Sequence, residues 1–229
     1  MEPGIEELTP DKLKAIQSRL EVERDRRLRE NRLANFKPYP AQAKFMAAGA
    51  QYRERLLCAA NRIGKTHCGA AELAFHLTGL YPDDWWVGKR FDKPIRAWAA
   101  GVTNETTRDV VQEKLIGPPL RESEWGTGMI PKSALGHIAT ARSIAGAIDT
   151  VAVKHITGGW SQLQFKSYER GREKWQGAGL EVLWADEESP YDLYVEALTR
   201  TNETGGIIYT TFTPTGGMSQ VVKRFFIGD

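Results

Sequence analysis

Cysteine is scarce in this chain of 229 residues: Cys58 and Cys68 are the only two. Two thiols cannot make a disulfide framework, and their spacing is not that of a zinc site. They are expected to be reduced core residues of an intracellular protein. Histidine is equally sparse, with four residues scattered along the chain, so no imidazole-rich metal centre is indicated. No apolar run approaches the roughly 20 residues of a membrane span, and the start "MEPGIEELTPDK" is too acidic for a secretory signal. No membrane partner is expected. A formal net charge of only +2 excludes a globally basic surface, so contacts with nucleic acid would have to be gathered on a few loops. With 41% hydrophobic and 26% charged residues, global disorder is excluded as well.

What is present divides in two. Residues 1–35 are expected to be a charged helical arm. Thr9, Pro10 and Asp11 supply an N-cap, an N1 proline and an early acid, and Leu13, Ile16 and Leu20 recur at helical spacing. "EVERDRRLRENR", Glu21 to Arg32, reads either as a solvated helix laced with ion pairs or as a contact arm for a partner subunit or DNA. The helix should stop near Asn35, before Pro38 and Pro40 force extended backbone.

Residues 36–229 carry an α/β pattern. A helix is expected from Ala41 to about Tyr52, and a buried strand at 55–60. A further helix ends at Gly79, a strand covers 95–102, and a helix capped by Thr103 runs to about Ile116. Residues 120–150 show no clear period. Two strands flank a Gly158-Gly159 turn, "LEVLWADEE" is a strand ending in acids, and "GGIIYTTFTPTGG" is a strand running into a Thr-Pro turn. Strands alternating with helices imply an open, mostly parallel central sheet with flanking helices. Polar motifs at the strand ends place the site along the C-terminal edge of that sheet.

One stretch carries distinctive chemistry. "AANRIGKT", Ala59 to Thr66, lies between an expected strand and an expected helix, the context of a phosphate-cradling loop. Gly64 lets backbone N–H groups close around phosphate oxygens at the positive end of the helix. Lys65 would reach the β- and γ-phosphates, and Thr66 would ligate Mg²⁺. The usual first glycine of the loop is Ala59, which is tolerable if its φ is negative. In "VLWADEE", Asp186 follows a mostly apolar strand as a magnesium-holding acid should. Glu187 has the place of the general base that activates the attacking water. Read alone, these acids would equally be the N-terminal cluster of a helix opening at Ser189 and Pro190.

Taken together, these stretches resemble the ATPase half of the large terminase subunit of tailed bacteriophages, a DNA-packaging motor. "YPAQ" is similar to the family's adenine-recognition motif, with Gln42 for the base edge and Tyr39 beside it. "AANRIGKT" is similar to its deviant P-loop, in which Ala59, Ala60, Asn61, Arg62, Ile63, Gly64, Lys65 and Thr66 would surround the phosphates and Arg62 is the characteristic inserted charge. "VLWADEE" is similar to its acidic strand end, and "TTFTPTGG" to its coupling motif, with Thr211, Thr213 and Pro214 sensing the γ-phosphate. The resemblance runs from about residue 36 to 229.

The resemblance implies a P-loop NTPase fold of the RecA-like type and hydrolysis of ATP with Mg²⁺. In that chemistry Glu187, Arg62 and Lys65 are catalytic, and Thr66 and Asp186 hold the metal. It implies double-stranded DNA, the small terminase subunit and the procapsid portal as partners, a homo-oligomeric ring during packaging, and action in the host cell cytoplasm. Arg170 and Arg172 in "SYERGREKW" are candidates for an arginine donated across the ring. The family's usual nuclease domain is not provided by these residues, so DNA cleavage is not expected of this chain. DNA contact is expected at the helix start Thr103 to Arg108 and around Lys132 to Arg142. A helicase or other DNA translocase shares most of these motifs, although helicases continue the acidic pair with x-His or x-Asp, where this chain has Glu188-Ser189. A non-enzymatic, nucleotide-gated assembly subunit would leave Glu187 unexplained.

Overall fold

The computed structural model describes residues 10–142, 144–177, 179–214 and 217–227. The expected cap at Thr9 and the end of the coupling motif, Thr215 and Gly216, lie outside the described residues. The arm is helix α1 (Pro10–Glu30), held along its exposed face by the ion pairs Arg26–Glu23 and Arg26–Glu30. At its end Leu33 and Phe36 are buried in the main core. Helix α2 (Pro40–Ala48) follows the two prolines.

The sheet is built from β1 (Glu54–Cys58), β2 (Arg96–Gly101), β3 (Leu135–Thr140), β4 (Ile148–Lys154), β5 (Trp160–Ser167), β6 (Val182–Asp186) and β7 (Ile207–Phe212). Its order is β1-β7-β6-β2-β5-β4-β3. The first five run parallel, whereas β4 and β3 are antiparallel additions. The central strands β6 and β7 are buried throughout, which is why they read as unbroken apolar runs rather than alternating ones.

Helix α3 (Lys65–Thr78) crosses one face. A Cβ at Gly69 would lie 2.4 Å from the Trp184 indole, so only glycine lets α3 approach β6 this closely. The opposite face is covered by α6 (Tyr191–Asn202) and α7 (Gln220–Phe226) around Trp98, Tyr168, Trp175 and Tyr194.

Besides α7, a short helix that the sequence reading does not include, two features depart from it. The featureless 120–150 segment contains β3, whose pairing with β4 is broken by register shifts, so the strand has no clean alternation to betray it. The helix after β2 is not regular: α4 (Asn104–Thr106) and α5 (Glu113–Leu115) are joined by a π-helical stretch, Thr107–Gln112. There Gln112 is buried and pairs with the Gly146 carbonyl and the Ile148 amide.

Candidate active site

The register of the parallel strands brings their C-terminal ends to one edge. β1 pairs Cys58 with Phe212 on β7, and β7 pairs Thr211 with Asp186 on β6. The residues just beyond, Ala59, Thr213 and Glu187, are therefore neighbours although they are far apart in the chain.

The phosphate-loop residues follow β1. Gly64 is left-handed, with φ 86°, and caps α3, whose first residue is Lys65. A Cβ at Gly64 would stand 3.1 Å from Gln42 Nε2. Arg62 also has a left-handed backbone, φ 64°, and an exposed side chain. Ala59 is not among the described residues with positive φ, so alanine is unstrained there. The Lys65 side chain is buried, and its ammonium donates to the Ala60 carbonyl and the Thr213 hydroxyl, each at 2.8 Å.

Asp186 ends β6 as a buried carboxylate. It accepts from Thr211 Oγ1 at 2.7 Å and from Thr66 Oγ1 at 3.1 Å, and Trp184 Nε1 in turn fixes the Thr211 hydroxyl at 2.8 Å. Burial pushes the Asp186 carboxyl up to about 6, with Glu187 adding to the rise; the two hydroxyl bonds and Lys65 pull the other way without overcoming it. Glu187 is left-handed, φ 66°, and exposed, and its carboxylate has no side-chain partner among the described residues. Pro214 follows Thr213 directly and ends the described part of that loop.

Beside the loop lies a cleft of about 810 Å³, lined among others by Phe36, Tyr39, Gln42, Arg62, Gly64 and His67. The Tyr39 ring is exposed. The Gln42 amide is engaged at both ends: Oε1 accepts from the Tyr39 N–H at 2.9 Å, and Nε2 donates to the Gly64 carbonyl at 3.1 Å. Among the described residues its second amide hydrogen and second carbonyl lone pair have no partner. His67, Phe36 and Arg32 also line this cleft and had not been singled out in the sequence. His67 is one helical step past Thr66, and Phe36 meets its ring at 5.6 Å only in the fold.

The two arginines of the "SYERGREKW" stretch differ. Arg172 is tied to Glu196 at 3.0 Å, and Arg200 holds the same carboxylate. Arg170 is exposed and has no carboxylate partner among the described residues. Arg108 is paired with its neighbour Asp109 at 2.7 Å and donates to the Ala145 carbonyl. The Thr103–Arg108 helix start thus reaches Ala145, just past the second expected stretch, and shares a small pocket with Ala141 near that stretch's end.

The family model "Terminase large subunit, T4likevirus-type, N-terminal" matches residues 56–229. The chain is 42% identical over 209 residues to the terminase large subunit of Salmonella phage P22, an alignment that takes in 84% of this chain and 42% of that protein. It is 25% identical over 206 residues to the terminase large subunit of Enterobacteria phage LP7, across 84% of this chain and 43% of that one. The chain therefore spans about two-fifths of the length of these relatives. Among solved structures it is similar to the large terminase of the thermophilic bacteriophage D6E, with TM-score 0.54 and 14% identity over 77% of this chain and 39% of that one. The D6E protein in complex with ADP gives 0.51 and 14%, over 76% and 39%. At that identity the likeness is one of fold, a mostly parallel α/β sheet with flanking helices.

Proposed function

This chain belongs to the terminase large subunit family, and we propose that it is the ATP-hydrolysing motor domain that drives double-stranded DNA into a procapsid. One observation carries the proposal. Lys65, Thr66, Asp186, Glu187 and Thr213, drawn from three separate motifs, converge at one sheet edge beside an open cleft. The D6E protein, similar in fold, is described in complex with ADP, which supports nucleotide binding by this chain.

The donor set suits Mg²⁺. Asp186 is a buried carboxylate short of positive charge, and the Thr66 hydroxyl stands against it. Mg²⁺ keeps most of its waters and is commonly held by one or two protein oxygens together with phosphate oxygens. Thr66 and Asp186 would hold it, and it would supply positive charge that offsets the charge of the phosphates. The Gly64 end of α3 offers backbone N–H groups to the phosphates. Lys65 exchanges its present acceptors for phosphate oxygens, and Arg62 neutralises charge that develops on the γ-phosphoryl group. Glu187 orients the attacking water and takes its proton. The spare donor and acceptor of Gln42 match N7 and the N6 amino group of adenine, with the Tyr39 ring beside the base. Loss of the γ-phosphate is felt at Thr213 through Lys65 and passed back along β7 to Thr211 and forward to the adjacent Pro214.

DNA meets the surface formed by Thr103–Arg108 and Lys132–Arg142 through its phosphates, which carry no sequence information. A ring of copies would work at the portal in the host cytoplasm, with the small terminase subunit delivering DNA. In that ring Arg170, rather than the tethered Arg172, is the arginine available to a neighbour's nucleotide. The test is Mg²⁺-dependent ATP hydrolysis measured with and without portal-bearing procapsids and duplex DNA. Stimulation without strand separation is expected. Strand separation would make the chain a helicase, and no hydrolysis under any condition would make it a nucleotide-gated assembly subunit.

A further inference from the structure

We propose that Tyr168 is a positioning residue for Glu187: its hydroxyl holds the backbone that aims the Glu187 carboxylate at the water. The inference rests on the reading of Glu187 as the group that activates water.

Glu187 sits at φ 66°, a conformation that a residue with a Cβ keeps only where its surroundings hold it. The restraints are visible on both sides. Its N–H donates to the Thr211 carbonyl at 3.0 Å. The Tyr168 hydroxyl lies 2.9 Å from the Asp186 carbonyl and 3.0 Å from the Glu187 carbonyl. One phenol donor is thus shared between consecutive carbonyls at the point where the strand turns left-handed. A tyrosine merely satisfying its own hydroxyl needs a single acceptor. Because the Glu187 carboxylate has no side-chain partner among the described residues, its direction is set by this backbone.

Tyr168 is itself well anchored. Its ring is buried against Trp175, with centroids 5.9 Å apart, and Trp175 meets Trp98 edge-on at 5.7 Å. The short turn that begins with Tyr168 is fastened to the end of β2. Glu169 accepts from the Asn104 amide at 2.8 Å and from the Asn104 side chain, and its own N–H reaches the Val102 carbonyl.

The experiment compares wild type, Tyr168→Phe, Glu187→Gln and the double variant in ATP turnover, binding of a non-hydrolysable analogue, and amide exchange at residues 183–188. Tyr168→Phe should lower kcat by about 10- to 100-fold, the scale of a misaimed catalytic group, while analogue affinity stays within about twofold. The amide of Glu187 should exchange faster while those of Leu183 to Ala185 stay protected. The double variant should be no slower than Glu187→Gln alone, because both act through one carboxylate. Should Tyr168→Phe not fold, Glu169→Ala is the second variant. Its exposed side chain is dispensable to the core, and it should give the same pattern with a smaller drop in kcat. Glu187→Gln slow but Tyr168→Phe unchanged, or losses that multiply in the double variant, would overturn the positioning proposal alone. Glu187→Gln as fast as wild type would instead remove the water-activating reading on which it rests.

Discussion

The hydroxyl of Thr213, one residue beyond β7, stands 2.8 Å from the Lys65 ammonium and 2.9 Å from the Ala59 carbonyl. The end of one motif is thereby bonded to both ends of another, 2.8 Å from Asn61 Oδ1 as well. A change at the phosphates that moves Lys65 must change the hydrogen bonding of Thr213. Thr213→Val keeps the shape and deletes the bond. Its kcat for ATP should fall at least about tenfold, the scale of one hydrogen bond to a charged group, with affinity altered no more than about threefold. Equal losses in both parameters would make Thr213 part of the binding site instead of the link.

Asp186 gives a prediction in pH. Its carboxyl is raised to about 6 by burial, so the folded chain binds this proton more tightly than the unfolded chain does. The resulting stabilisation is complete below about pH 4 and disappears as pH rises through about 6. Asp186→Asn should therefore match wild type near pH 4 and be the more stable protein at pH 7.5, by at most about 3 kcal/mol. Thermal melts of both proteins without Mg²⁺ across this range are the check. A variant no more stable than wild type at pH 7.5 would contradict the assignment. Mg²⁺ with nucleotide should raise the melting temperature of wild type only, and progressively less below pH 6.

Arg55 and Glu72 form a buried ion pair at 2.5 Å, and Arg55 also donates to the Phe45 carbonyl at 2.8 Å. The pair ties β1, α2 and α3 together directly behind the phosphate loop. Removing one partner of such a pair leaves a charge without compensation. Glu72→Gln should destabilise the fold by roughly 3–5 kcal/mol, read from denaturant unfolding. The apolar pair Arg55→Met with Glu72→Leu should recover most of that loss. A mild effect of Glu72→Gln would show that water or a neighbour compensates Arg55.

Gln42 is bonded to the loop it is proposed to serve, through the Gly64 carbonyl. Gln42→Ala should accordingly do two things: weaken ATP binding by roughly tenfold and relax the preference for ATP over GTP. Titrations with both nucleotides separate the effects. Weakened binding with unchanged selectivity would leave Gln42 a structural tie of the phosphate loop and remove it from base recognition.

The parts of this site that could be read in the sequence are those whose chemistry is local. Gly64-Lys65-Thr66 sits between a strand and a helix, and Asp186 ends an apolar strand because β6 is buried on both faces. Both signals survive without tertiary knowledge. The strand β3 did not, since its shifted register erases alternation. The π-helical stretch at Thr107–Gln112 was illegible for a different reason: Gln112 reaches Gly146 and Ile148, partners that no local pattern foretells. Nor could the backbone strain at Arg62 and Glu187 be read, because nothing in a residue's type announces a left-handed φ when it is not glycine. Helix α7 was missed because only seven residues lie between its Ser219 cap and its end.

The most direct measurement is single-turnover hydrolysis of ATP with Mg²⁺ by wild type and Glu187→Gln, alongside analogue binding by each. Glu187→Gln should bind as wild type does and hydrolyse at least about 100-fold more slowly, the scale of a lost general base. Glu188→Gln should be mild by comparison. Hydrolysis by Glu187→Gln at the wild-type rate would show that Glu187 does not activate the water.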